Sequence, residues 1–95
     1  MIKINISKDE ITVKGHSGYS ESGSDIVCAS VSSILITTVN ALLSIDEDCI
    51  VYEESDGYLN LKIKKHNEVV DKLINNMINL LKELQNQYKK NIEIR

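Results

Sequence analysis

Ile2, Ile4 and Ile6 alternate with Lys3, Asn5 and Ser7, and the same period returns at Ile11, Val13 and Gly15. Between the two runs lies the polar turn Lys8-Asp9-Glu10. A period of two with one apolar face predicts two half-buried strands joined as a hairpin. The second strand ends just before His16. From Gly15 to Asp25 the pattern breaks into glycine and serine, with Gly15, Gly18 and Gly23 interleaved with Ser17, Ser20, Ser22 and Ser24. That composition predicts a loop able to reach positive φ.

Asp25, or Ser24, suits the N-cap of a helix over the apolar run Ile26 to Leu43. The β-branched content of Val31 to Val39 competes for strand, but the cap and the length favour helix. This helix is apolar on much of its circumference, which predicts extensive burial between the sheet and a second layer. A third strand is expected at Cys49 to Glu53. Asp56-Gly57 is a two-residue hairpin signal, and Tyr58, Leu59, Leu61 and Ile63 continue as a fourth strand. Asn67 caps a second helix whose apolar positions Val70, Leu73, Ile74, Met77, Leu80, Leu81, Leu84 and Tyr88 recur at helical spacing. Lys89 and Lys90 suit its C-terminal dipole and Asn91 its end. Ile92-Glu93-Ile94 offers a short last strand. The expected architecture is a single α+β domain over residues 1–95, β-β-α-β-β-α with a short C-terminal strand. Its sheet is mainly antiparallel and packed with two helices.

Composition narrows the function. Four tyrosines, no Phe and no Trp leave an aliphatic core, and the chain has fourteen isoleucines. At 95 residues burial is limited, so self-association is a natural way to add core. A net charge of −3 with scattered Lys and Arg argues against direct contact with nucleic acid. No segment approaches the roughly 20 apolar residues needed to cross a bilayer, so no membrane partner is expected. The alternating N-terminus differs from the apolar block of a signal peptide. Two cysteines without disulfide-like spacing fit a reducing cytoplasm.

The candidate chemistry lies in Gly15-His16-Ser17-Gly18 through Asp25-Ile26-Val27-Cys28. It holds one imidazole and one thiol twelve residues apart. With Asp25 as N-cap, Cys28 is the third helical residue, where unpaired N–H groups and the helix dipole favour thiolate over thiol. The same N–H groups could stabilise an oxyanion. His16, at the strand end beside Gly15, would activate Cys28 and then protonate the leaving amine. The plainer reading is a small core cysteine and a surface histidine.

Asp25 could orient His16 or simply cap the helix, with the cap favoured. Ser32 shares the helix face of Cys28 and could back-bond to the Cys28 carbonyl or support the site. Tyr19 and Tyr58 could line a peptide pocket. Cys49 reads as a core or half-exposed thiol, and His66 as a surface or capping residue. A zinc site is disfavoured because the short paired ligand spacings are missing. Neither metal nor cofactor is expected. The acidic residues Asp46, Glu47, Asp48, Glu53, Glu54 and Asp56 read as solvated turns that could attract a basic substrate.

The run from Gly15 to Ser32, with Asp-Ile-Val-Cys-Ala at its centre, resembles the signature of the ribosomal-processing cysteine proteases, the Prp family. The later Val39-Asn40-Ala41-Leu42 is similar too, so the likeness spans about Val13 to Leu43. It implies a small homodimeric endopeptidase of Firmicutes-type bacteria. Such an enzyme removes a short hydrophobic N-terminal extension from a large-subunit ribosomal protein during ribosome maturation, after a paired aromatic motif. Carried over, Cys28 is the nucleophile and His16 the general base. Gly15, Asp25 and Ser32 support them, and Ser17, Gly18, Tyr19 and Gly23 form a substrate-binding loop. Ser17 stands where the family most often has Ala. The competing reading is a non-enzymatic dimeric ribosome-assembly module that uses the 17–24 loop for peptide recognition.

Overall fold

The computed structural model describes residues 1–16 and 25–95. Strands β1 (Ile2–Ile6) and β2 (Glu10–Lys14) form the first hairpin, in register Ile4↔Val13. Helix α1 spans Ile26–Ile45, followed by β3 (Ile50–Ser55), β4 (Tyr58–Ile63), helix α2 (Glu68–Gln87) and β5 (Ile92–Ile94). Among the described residues the sheet has five strands in the order β3-β4-β2-β1-β5. The α1 crossover carries the chain past β2, so that β4 pairs antiparallel with β2 in register Val13↔Leu59. Only β5, returning through α2, runs parallel to its neighbour β1. The expected α+β architecture is the one observed.

Strand alternation decides which face is buried. Ile2, Ile4, Ile11, Val13, Leu59, Leu61 and Ile63 point to the helices, whereas Lys3, Asn5, Lys14 and Lys62 lie on the opposite face. On that outer face Asn60 donates to Glu10 Oε2 and Thr12 Oγ1, both at 3.0 Å, so its burial leaves the amide satisfied. From α1, Val27, Val31, Leu35, Val39 and Leu42 meet the sheet, and from α2, Val70, Ile74, Met77 and Leu81 do so. Helical spacing of three and four residues puts each set on one stripe.

Four expectations are corrected. Helix α1 is not enclosed on both sides: six of its twenty residues are buried, while Ile26 and Ile45 are exposed at 52% and 54%. The helix is the outer layer of a two-layer domain, so its apolar circumference exceeds what the sheet can cover. Its length and mean hydropathy of 2.0 also meet the requirement for a membrane-crossing helix, contrary to the expectation that no segment would. The same test is passed by core helices, and the stripe that α1 packs on the sheet belongs to that class. Strand β3 begins at Ile50 and runs to Ser55, with Cys49 preceding it. Helix α2 stops at Gln87 with Tyr88 as C-cap, which leaves Lys89 and Lys90 in the following turn instead of on the helix.

Candidate active site

Three segments meet at one end of the sheet: the end of β2, the start of α1 and the β3–β4 turn. Beyond the last β2–β4 pair, Lys14↔Tyr58, the Gly15 N–H donates to the Gly57 carbonyl at 2.8 Å. That bond carries the ladder one residue further and delivers His16 beside the turn. Gly15 has φ +94°, and a Cβ there would stand 2.5 Å from the Met1 carbonyl oxygen. Only glycine satisfies both conditions. The His16 carbonyl accepts a hydrogen bond from the Met1 amino group, and the residue is exposed.

Across the gap, α1 opens with Asp25 in an extended conformation (φ −77°, ψ 102°). Asp25 Oδ1 accepts the Val27 N–H at 2.9 Å and the Cys28 N–H at 3.0 Å, and its carbonyl accepts the Ala29 N–H at 3.1 Å. The carboxylate therefore acts as N-cap. This revises the expected oxyanion donors, because the Val27 and Cys28 amides already serve the cap. Cys28 is half-buried, with its side chain against the core.

His16, Cys28 and Ser32 line one cleft of about 460 Å³. Its floor is Val13, Val31 and Leu35, and its far wall is the β3–β4 turn with Glu54, Asp56, Gly57 and Tyr58. Ser32, one turn along α1 from Cys28, is exposed on the wall. The side-chain back-bond at this end of α1 comes from Ser30, which donates to the Ile26 carbonyl at 2.7 Å. Sequence reading offered Tyr58 as a pocket residue and Glu54 and Asp56 as acids facing a basic substrate, and all three line the cleft; Gly57, between them, is the residue it did not assign to the site. Its only advance signal was the Asp56-Gly57 turn, because the β2–β4 pairing that puts the turn there is long-range. Ser17, Gly18, Tyr19 and Gly23 lie outside the described residues.

The other candidates are elsewhere. The acidic residues fall in three places. Glu54 and Asp56 border the cleft, Glu53 lies outside it beside Val51, Asn60 and Lys62, and Asp46, Glu47 and Asp48 follow the far end of α1. The Asp48 N–H and then Lys65, 3.1 Å away, hold the Asp46 carboxyl below its usual range. Cys49 is fully buried, and its Sγ lies 3.5 Å from the Leu42 carbonyl oxygen. From Cys28 to Leu42 the helix advances about 21 Å at 1.5 Å per residue, too far for the two thiols to share a metal or a disulfide. Burial pushes the Cys49 thiol up. His66 is more than a surface residue. Its Nδ1 lies 2.7 Å from Asp71 and its Nε2 2.6 Å from Asp9, which ties the β1–β2 turn to α2.

A thiol and an imidazole in one cleft, with apolar floor and no second thiol within reach, suit nucleophilic attack on a peptide. The family model for the cysteine protease Prp matches residues 1–93. The chain belongs to this family. It is a cysteine protease, which decides against the non-enzymatic module. The ribosomal processing cysteine protease Prp of Staphylococcus aureus is 26% identical over 90% of this chain and 83% of its own length. Its counterpart in Mycoplasma genitalium is 54% identical over 35 residues, 37% of this chain and 35% of the relative. In structure, the chain resembles the S. aureus processing protease Prp solved with a covalently linked product peptide. The TM-score is 0.86 at 23% identity, covering 99% of this chain and 95% of the other, and this likeness concerns the fold.

Proposed function

We propose that this Prp-family protease removes a short hydrophobic N-terminal extension from a large-subunit ribosomal protein, with Cys28 as nucleophile and His16 as general base. The observation that carries the reading is the single cleft lined by both residues, with Cys28 presented from the capped start of α1. Val13, Val31 and Leu35, themselves buried, give the cleft an apolar floor that suits a hydrophobic extension. Glu54 and Asp56 at its border suit a basic stretch of the same substrate.

In this mechanism His16 takes the Cys28 thiol proton as Sγ attacks the scissile carbonyl carbon, forming a tetrahedral oxyanion. The oxyanion collapses, the C–N bond breaks, and the leaving amine takes the proton held on His16. Water, deprotonated by His16, then attacks the thioester. The carboxylate product leaves and the thiol is regenerated. The enzyme acts as a cytoplasmic homodimer, the exposed outer face of α1 offering apolar surface to a second copy. Incubation with the extended ribosomal protein, followed by mass detection of the released peptide, tests the assignment. A single cut that frees the extension supports it, and an intact substrate refutes it.

A further inference from the structure

Within the wall that the β3–β4 turn gives the cleft, Gly57 stands against His16. Gly57 has φ +68°, and a Cβ placed on it would stand 3.0 Å from His16 Nε2 and 3.6 Å from Cδ2 and Cε1. Three ring atoms at these distances mean that the imidazole lies against the bare Cα. Asp56 does not share the positive φ, so the turn is not the mirror-image form in which both central residues are left-handed. The left-handed conformation falls on the glycine whose Cα faces the ring. The same residue's carbonyl accepts the Gly15 N–H at 2.8 Å, one residue before His16. Gly57 thus contacts the histidine segment twice, through its carbonyl at the backbone and through its empty Cβ position at the ring.

We infer that Gly57 is a positioning residue for the proposed general base: its missing side chain is the seat that holds the His16 ring in the cleft. This rests on the assignment of His16 as base. Backbone conformation alone would also demand glycine here, so the test separates the two demands. Asparagine tolerates the left-handed region far better than alanine, and Gly57→Asn therefore keeps the turn while filling the seat. Displacement of a base by a fraction of an ångström to 1 Å acts on the chemical step and leaves ground-state binding largely untouched.

The experiment measures kcat, KM and the pH profile of cleavage for wild type, Gly57→Asn, Gly57→Ala and His16→Ala. Heteronuclear spectra of wild type are recorded alongside. The expected result is a fall of about tenfold or more in kcat for Gly57→Asn, with KM within about twofold and a shifted acid limb of the pH profile. Wild type should show nuclear Overhauser contacts between the Gly57 α protons and the His16 ring protons. A folded Gly57→Asn protein with wild-type kcat and pH profile overturns the inference. So does the lack of those contacts in wild type, which keeps the test decisive if both Gly57 variants fail to fold. Undiminished cleavage by His16→Ala instead removes the base assignment itself, a different failure from either of these.

Discussion

The Asp25 carboxylate accepts the backbone N–H of Cys28 at 3.0 Å. The residue that caps α1 thereby fixes the peptide unit that carries the proposed nucleophile. Asparagine caps helices about as well as aspartate, whereas alanine forfeits about 1 kcal/mol. Asp25→Asn is expected to keep most of the cleavage activity and stability. Asp25→Ala should lower stability by about 1 kcal/mol in urea denaturation and reduce cleavage more than Asn does. Loss of all cleavage in a folded Asp25→Asn protein would instead mean that the charge itself takes part in the chemistry.

The two thiols should differ sharply in accessibility. Cys28 lines an open cleft, and Cys49 is fully buried with its thiol pushed up by that burial. Iodoacetamide at neutral pH is expected to label Cys28 first, with Cys49 reacting at a comparable rate only in denaturant. Peptide mapping of the alkylated protein checks this. Equal native-state labelling would show that Cys49 is reached without unfolding.

Gly15 is constrained by both its φ of +94° and the Met1 carbonyl oxygen, 2.5 Å from where a Cβ would stand. Gly15→Ala is expected to destabilise the protein by about 1–3 kcal/mol and to move the end of β2. Urea midpoints and the amide exchange of β1 and β2 report this. A variant with unchanged midpoint would show that the N-terminal segment yields without cost.

Much of this fold was legible because its signals are local. The Ile2 and Ile11 alternations, the caps Asp25 and Asn67, and the Asp56-Gly57 turn each act within a few residues, and each appears where expected. Helix α2 ended early because Tyr88 closes it onto the Gln85 and Leu84 carbonyls, a contact that an apolar stripe does not announce. Likewise, the circumference of α1 could not reveal how many layers surround it. The site was half legible: His16 and Cys28 lie twelve residues apart in the sequence, but Gly57 reaches the cleft only through the β2–β4 pairing across more than forty residues. No periodicity within either segment encodes that pairing.

His66 bridges Asp71 and Asp9, and these two hydrogen bonds, Asp71 first, raise its pKa above the ordinary 6.5. A histidine whose folded value is raised stabilises the protein fully below the unfolded value, and the benefit is lost as pH rises through the folded value. Urea midpoints of wild type and His66→Gln, measured between about pH 5 and pH 9, should therefore differ most at the acid end and converge at the alkaline end. A difference that grows with pH would contradict the bridge.

The central proposal is that Cys28 attacks a peptide bond with His16 as its base. The most direct measurement is intact-mass spectrometry of wild type, Cys28→Ala and His16→Ala, each mixed with the extended ribosomal protein and sampled over time. Wild type should release the extension and show a transient adduct of that peptide on Cys28. Both variants should stay folded, form no adduct and leave the substrate whole. Release of the extension by Cys28→Ala at the wild-type rate would contradict the account.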